Sequence, residues 1–148
     1  MSFVEKHQLW TAEQSDAAFR MRRLAEEHGL KTIRFSFPDQ HGILRGKTLT
    51  TDAALSSLKD GCSITTTLLA KDTSHRTVFP VFTAGGGFGM SEMQGGGDAL
   101  MVADPATFRV LPWAPGTGWV LCDLYFADGR PVPFATRGLY RAVLEKLG

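Results

Sequence analysis

The feature that most constrains the fold is a strict alternation of apolar and polar residues between positions 31 and 37. The apolar residues Ile33, Phe35 and Phe37 are separated by Thr32, Arg34 and Ser36. A period of two residues predicts a β-strand with one buried face. Because that face must be covered, the chain has to supply another element that packs on it.

Helices are predicted on both sides of a hairpin that contains this strand. The first runs from about Thr11 to His28: it opens with the capping-box sequence Thr-Ala-Glu-Gln, and Gly29 supplies a left-handed stop. Turn residues separate the strand from a second extended run, so residues 31–50 are predicted to form a β-hairpin with a loop of about five residues. A shorter helix is predicted from Thr51 to Lys59.

The rest of the chain combines strand-like runs with a glycine-rich segment. Strand propensity is high over Ser63–Leu69 and highest over Trp119–Phe126, whereas residues 83–97 hold seven glycines and predict a long mobile loop. A last helix is predicted over Arg137–Leu147, and its apolar stripe is unbroken at Gly148, which predicts that it continues in a longer chain or docks on a partner. This order of elements predicts an α+β fold, with a mixed or antiparallel sheet that carries helices.

Composition narrows the class of protein. A chain of 148 residues with 43% hydrophobic residues fits one domain. Its net charge is +1 and its Lys and Arg residues are scattered, so no basic surface for binding nucleic acid is predicted. No apolar run has the length of a membrane span or of a signal peptide. Cys62 and Cys122 are predicted to be buried free thiols, which is typical of a reducing compartment, so a cytoplasmic location is predicted.

None of the candidate motifs for nucleotide or metal binding has the residue spacing that such a site requires. The segment Gly42–Thr48 resembles a phosphate-binding loop but has one residue too few between its glycines. The glycines of residues 85–97 do not form a dinucleotide fingerprint, and the four histidines and the carboxylates are dispersed. The chain is therefore predicted to hold no metal site and no catalytic residue of its own.

Residues 112–118 separate two strand-like runs and contain a tryptophan among small residues. Pro112 and Pro115 remove two backbone donors and stiffen the chain, so a rigid crossover between strands is predicted. We interpret Trp113 as a packing anchor rather than as a group that stacks on a substrate.

Three stretches carry a distinctive order of motifs: IRFSFPDQHGILRGKTL at residues 33–49, DALMVADPATFRVLPWAPGTGWVLCDLYFADGRPVP at 98–133, and TRGLYRAVLEKLG at 136–148. Together they resemble the N-terminal domain of the glutamine synthetase family, in particular its gamma-glutamyl-amine ligase branch. The resemblance runs from about Glu13 to the end and is strongest over residues 98–148.

The resemblance implies a β-grasp-like domain, with a mixed sheet and packed helices, that is one part of an ATP-dependent ligase. In that family a larger domain supplies the metal ligands and most of the ATP site, and an acyl phosphate of glutamate is attacked by ammonia or another amine. The N-terminal domain completes the active site of a neighbour in a homo-oligomeric ring. ATP and Mg²⁺ or Mn²⁺ are thus implied for the complete enzyme of nitrogen metabolism and glutamine biosynthesis, while the isolated fragment is expected to be inactive and without a cofactor.

One departure from the family pattern concerns the amine. Classical members carry Phe-Asp-Gly-Ser-Ser after the second helix, and the aspartate binds ammonium and helps to remove its proton; the alignment places Thr65 there. Since a hydroxyl supplies no negative charge, the resemblance indicates a member that uses larger amines or has altered activity. Ser63, Thr65 and Thr66 are the implied substrate-binding residues, acting in a neighbouring subunit. Asp72 is a candidate replacement carboxylate, and its alternative role is that of a loop residue.

The domain prediction has three parts: an N-terminal extension at residues 1–12, a β-grasp-like domain at 13–135, and the start of a linker helix to a C-terminal catalytic domain at 136–148. The alternative is a free-standing β-grasp module that binds or assembles without catalysis. An inactive full-length relative is a third possibility. A coding sequence that continues beyond Gly148 is expected for the first, and a stop codon there for the second.

Overall fold

The computed structural model describes every residue from Met1 to Gly148. The helices are α1 (Phe3–His7), α2 (Ala12–Glu27), α3 (Thr51–Ser57) and α4 (Thr136–Leu147); the strands are β1 (Thr32–Pro38), β2 (Leu44–Thr50), β3 (Cys62–Thr65), β4 (Asp98–Ala103), β5 (Arg109–Val110) and β6 (Thr117–Tyr125). The six strands form one sheet in the order β2-β1-β6-β4-β3, and β5 pairs with β6. Since β1 and β6 run parallel while β5 and β6 run antiparallel, the sheet is mixed and the predicted α+β class is confirmed.

Helix α2, which is the first helix that the sequence predicts, and the β1–β2 hairpin form at the predicted positions. Thr11 caps α2 in a capping box with Gln14, and Gly29 adopts a φ of 55° just beyond the helix. Residues 39–43 connect β1 to β2, which are neighbours in the sheet. Local capping and turn chemistry is sufficient to specify this part of the fold.

The chain divides into two compact units, each assembled from three segments. The first comprises Met1–Phe37, Gly46–Cys62 and Met101–Asp123. Its core is built from apolar side chains of α2, β1, β4 and β6 and from the residue after α3, all of which are almost fully buried: Met21, Ile33, Phe35, Leu58, Met101, Val120 and Cys122. The alternation along β1 therefore buries the predicted face.

Residues 1–12 are part of this first unit. The predicted division into an extension at 1–12, a domain at 13–135 and a linker helix at 136–148 stays a prediction. Val4 of α1 is buried, and its backbone N–H donates to the carbonyl of Lys59 at 2.9 Å. The indole Nε1 of Trp10 donates to the carbonyl of Ala103 at 2.9 Å. A five-residue helix with one buried side chain leaves no periodic signal, which is why the pattern analysis missed it.

Strand β2 approaches β1 very closely at Gly46. A Cβ built on Gly46 would lie 1.8 Å from the carbonyl oxygen of Phe35, far inside any real contact. Only a residue without a side chain can therefore occupy this position. The segment that resembles a phosphate-binding loop thus spans a hairpin loop and a strand.

Residues 112–118 contain the turn between β5 and β6, and the prediction of a crossover is wrong. The backbone N–H of Ala114 donates to Leu111 at 3.3 Å, and that of Thr117 donates to Ala114 at 3.1 Å. Trp113 is 73% exposed, so its interpretation as a packing anchor is also wrong. A tight turn between antiparallel strands directs this side chain outward.

The second unit comprises Pro38–Arg45, Ser63–Leu100 and Leu124–Gly148. The strand predicted through Leu69 ends at Thr65, and a 3₁₀ helix follows at Thr66–Ala70.

The glycine-rich segment folds into two further 3₁₀ stretches, Gly87–Gly89 and Ser91–Gly96, rather than staying irregular. Val81 and Met93 are almost fully buried, and the backbone N–H of Gly95 donates to Val81 at 2.7 Å. Gly87 has a φ of 70°, and a Cβ there would lie 2.8 Å from the backbone of Met93. Some of the glycines therefore permit close backbone packing, a role that composition does not separate from mobility.

Helix α4 has no buried residue, and the predicted apolar stripe of Leu139, Tyr140, Val143, Leu144 and Leu147 is exposed. None of the helices combines the length and the apolar composition that a membrane span needs.

Candidate functional site

Three of the predicted substrate-binding residues, Ser63, Thr65 and Thr66, lie where β3 passes into the 3₁₀ helix of the second unit. Ser63 and Thr65 are exposed, while Ile64 between them is buried. Side chains alternate along a strand, so Ser63 and Thr65 share one exposed face.

The hydroxyl of Thr65 is surrounded by neutral groups. Its Oγ1 donates to the carbonyl of Gly96 at 3.2 Å, accepts the backbone N–H of Thr67 at 3.3 Å, and lies 3.0 Å from the Oγ1 of Thr67. The two hydroxyls form what we call the threonine pair. Because none of these partners is charged, the threonine pair offers hydrogen bonds without a negative charge.

Thr66 differs from Ser63 and Thr65 in being fully buried, and its substrate-binding role stays a prediction. Its Oγ1 donates to the carbonyl of Gly97 at 2.7 Å, and its backbone N–H donates to the same oxygen at 2.9 Å. Thr66 therefore ties the threonine segment to the end of the glycine-rich segment and is not part of the exposed face.

Asp72 closes a turn of its own. Its Oδ1 accepts the backbone N–H of Arg76 at 2.9 Å, and its backbone N–H donates to the Arg76 carbonyl at 2.9 Å. These contacts fit the alternative role of a loop residue, and they do not bring the carboxylate to the threonine pair. A substrate-binding role for Asp72 stays a prediction.

A buried ion pair that sequence reasoning missed lies at the tip of the β1–β2 hairpin. Asp39 is 0% exposed, and its Oδ2 accepts the Nε–H of Arg45 at 2.9 Å. Its Oδ1 accepts the backbone N–H groups of His41 and Ile43 at 2.8 and 2.9 Å. Burial alone would raise the pKa of Asp39, but these three hydrogen bonds and the charge of Arg45 together hold that pKa below its ordinary value.

Arg45 extends this cluster to a second loop. Its Nη1 donates to Nδ1 of His75 at 2.7 Å, while its Nη2 is buried without a hydrogen-bond partner. The side chain is only 14% exposed. Two histidine-bearing segments far apart in sequence, 39–45 and 71–77, are thus joined through one guanidinium.

Two more side chains of the hairpin loop bind the backbone that follows the threonine segment. Nε2 of Gln40 donates to the carbonyls of Leu69 and Lys71 at 2.8 and 3.1 Å. Nε2 of His41 donates to the same Lys71 carbonyl at 3.1 Å. The hairpin loop therefore fixes the chain immediately after the threonine pair and acts as its support.

The residues of this chain do not fit a metal centre. No group of three or more His, Cys, Asp or Glu side chains is arranged to hold a metal ion. Both cysteines are free thiols, but only Cys122 is buried as predicted, whereas Cys62 is partly exposed. Burial raises the pKa of the Cys62 thiol, outweighing the opposing charge of Lys47, so this thiol is a weak nucleophile.

Comparison with known proteins places this geometry in a family. No protein-family model matches the chain. A gamma-glutamylanilide synthase of Acinetobacter sp. is 40% identical over 99% of this chain and 30% of its own length. A gamma-glutamylethanolamide synthetase of Streptomyces coelicolor is 39% identical over 80% of this chain and 24% of its own, and a glutamine synthetase of Thermotoga maritima is 28% identical over 85% and 25%.

The chain belongs to the glutamine synthetase family. Among solved structures, a GmaS/ADP complex superposes with a TM-score of 0.62 at 26% identity and covers 85% of this chain and 25% of that one. The chain spans 30% of the length of the anilide synthase that it matches, and the matched part is N-terminal. Within the glutamine synthetase family, the threonine pair therefore lies in an N-terminal domain.

Proposed function

We propose that the chain is the N-terminal domain of an ATP-dependent ligase that joins the γ-carboxyl group of glutamate to an amine larger than ammonia. The observation that carries this proposal is the neutral threonine pair. The sequence resemblance adds the prediction that Thr65 occupies the position of the aspartate in classical members. Two of the relatives are named for an anilide and an ethanolamide product, which supports the same acceptor class.

The chemistry of the acceptor explains why a hydroxyl suits this position. Ammonium offers only its charge and four N–H groups, so its recognition depends on a nearby anion. A larger amine also offers apolar surface, so part of its binding free energy comes from burial. The threonine pair then needs only to orient the nitrogen. The nitrogen attacks the carbonyl carbon of the acyl phosphate, the C–O bond to phosphate breaks as the C–N bond forms, and the proton of the nitrogen passes to the departing phosphate.

ATP and the divalent metal, Mg²⁺ or Mn²⁺, are proposed to bind outside this chain. The similar solved structure of a GmaS/ADP complex supports the nucleotide, whereas the side chains of this domain supply no metal ligand set. The exposed stripe of α4 is proposed to pack on the remainder of the ligase, within a homo-oligomeric ring in which Ser63 and Thr65 face a neighbouring active site.

Substituting the threonine is expected to change the acceptor. In a complete ligase that carries this domain, Thr65→Asp is expected to raise kcat/KM for ammonia about tenfold and to lower it for ethanolamine and aniline, because a carboxylate favours the small cation. Initial rates of phosphate release with each amine give kcat/KM for ammonia, ethanolamine and aniline. Thr65→Ser, which keeps a neutral hydroxyl, is the matched control and should preserve the original preference. An unsubstituted enzyme that prefers ammonia would contradict the proposal.

A further inference from the structure

An exposed aromatic ring lies directly beside the threonine pair. Phe82 is 72% exposed, an unusual state for a phenylalanine side chain. A Cβ built on Gly96 would lie 3.0 Å from the methyl carbon of Thr67 and 3.2 Å from Cε1 of Phe82. The ring and the threonine methyl therefore approach the same point, at the residue whose carbonyl binds the Thr65 hydroxyl.

Gly96 is the reason why this arrangement is possible. Its φ of 70° is a conformation that side-chain-bearing residues rarely adopt, and any side chain there would press on both Phe82 and Thr67. The backbone thus leaves room for the ring beside the two hydroxyls. The result is a surface with hydrogen-bonding oxygens on one side and an aromatic ring on the other.

Phe82 also differs from three other phenylalanines of this unit. Phe79, Phe88 and Phe134 form a row of tilted rings with centroids 4.9 and 5.2 Å apart, so they bury part of their surface against one another. Phe82 retains more exposed surface than Phe79 or Phe88, which are each 47% exposed. Among the phenylalanine rings of this unit, the one beside the threonine pair is therefore the most exposed.

We propose that Phe82 is a specificity-determining residue of the acceptor site and selects a primary amine with a flat, aromatic substituent. This inference rests on the proposed function. The amine nitrogen would donate to the threonine pair while the substituent stacks on the Phe82 ring, a contact that favours aromatic over branched alkyl groups of similar size. The 40% identical relative named for an anilide product is consistent with such an acceptor.

The test compares three amines in the complete ligase: aniline, isopropylamine and ammonia. Phe82→Ala is expected to raise the KM for aniline about tenfold and to change the KM for ammonia less than twofold, because only aniline has a ring to stack. Phe82→Leu keeps apolar bulk without a ring and is expected to retain isopropylamine use while losing the preference for aniline. Phe19→Ala is the matched control, since Phe19 is 70% exposed on α2 of the first unit.

The outcomes separate the inference from the function on which it rests. Equal losses with all three amines, or a change of oligomeric state in Phe82→Ala, would overturn the inference and identify Phe82 as a structural or subunit-contact residue. Unchanged selectivity in a folded Phe82→Ala enzyme would overturn it as well, while leaving amine ligation established. An unsubstituted enzyme that consumes ATP with none of the amines would instead refute the proposed function.

Discussion

Gly46→Ala is expected to prevent stable folding of the chain. The new methyl group would lie 1.8 Å from the carbonyl oxygen of Phe35, and because that atom belongs to the backbone, no side-chain rotation can relieve the overlap. The two strands would have to separate, which breaks the pairing of β1 with β2. We expect a loss of about 4 kcal/mol or more, a large share of the stability of a domain of this size. Thermal unfolding, monitored by circular dichroism, measures this loss of stability.

Gly138→Ala is the matched control for that substitution. Gly138 lies in α4, and a Cβ there would meet nothing within 4 Å. Alanine is favoured over glycine inside a helix by roughly 0.5–1 kcal/mol, so the midpoint temperature of unfolding should stay the same or rise. Equal midpoints for Gly46→Ala and the unsubstituted chain would show that β1 and β2 do not approach as closely as the structure has them.

Asp39→Asn is expected to destabilise the chain by about 3 kcal/mol, because removing one partner of a buried ion pair leaves the other charge uncompensated. Arg45 would retain a guanidinium that is only 14% exposed and whose Nη2 already lacks a partner. The amide also weakens the acceptor for two backbone N–H groups. The change in urea midpoint measures the effect.

Asp128→Asn provides the comparison with an exposed pair. Asp128 bonds Arg130 in the same compact unit, but the two side chains are 51% and 61% exposed. Water solvates both groups when the bond is lost, so the midpoint should stay within experimental error of the unsubstituted chain. A loss as large as that of Asp39→Asn would contradict the role of burial.

The contribution of Asp39 should also depend on pH in a defined direction. Its pKa is lower in the folded chain than in the unfolded one, where it is about 3.9, so the folded state favours the charged form. This stability is fully present above the unfolded pKa and is lost as pH falls through the folded pKa. The stability gap between the unsubstituted chain and Asp39→Asn should therefore be constant from about pH 7 to pH 5 and narrow below about pH 4. A stability difference between the two chains that increases as the pH falls would refute this prediction.

The sequence contains a local signal for the burial of Asp39. The alternation that buries Ile33, Phe35 and Phe37 places position 39 on the same face, although a turn was predicted to begin there. Extending the period by one step predicts a buried carboxylate and hence a cationic partner. That partner is Arg45, six positions further along the hairpin. The contact of Arg45 with His75, 30 positions away, could not be predicted from a local pattern.

Other parts of the site depend on packing between distant residues, which produces no periodic pattern of apolar residues in the sequence. The place of Thr65 in a strand follows from β-branched propensity, but the end of that strand at Thr65 and the 3₁₀ helix after it do not. The burial of Met93 depends on contacts across the glycine-rich segment, where composition alone favours disorder. Elements with strong caps and clear periods were predictable, while those defined by distant backbone contacts were not.

The parallel pairing of β1 with β6 has a consequence for folding kinetics. Thr32 and Thr117 are aligned although they stand 85 positions apart, so this pairing closes a long loop. Closure entropy must be overcome before the contact stabilises anything, and such non-local pairings make folding slow. During synthesis, helix α2 and the hairpin can form early, but β1 keeps an open edge until the ribosome has released residue 121. That interval is the time in which this domain is most exposed to mispairing with another chain.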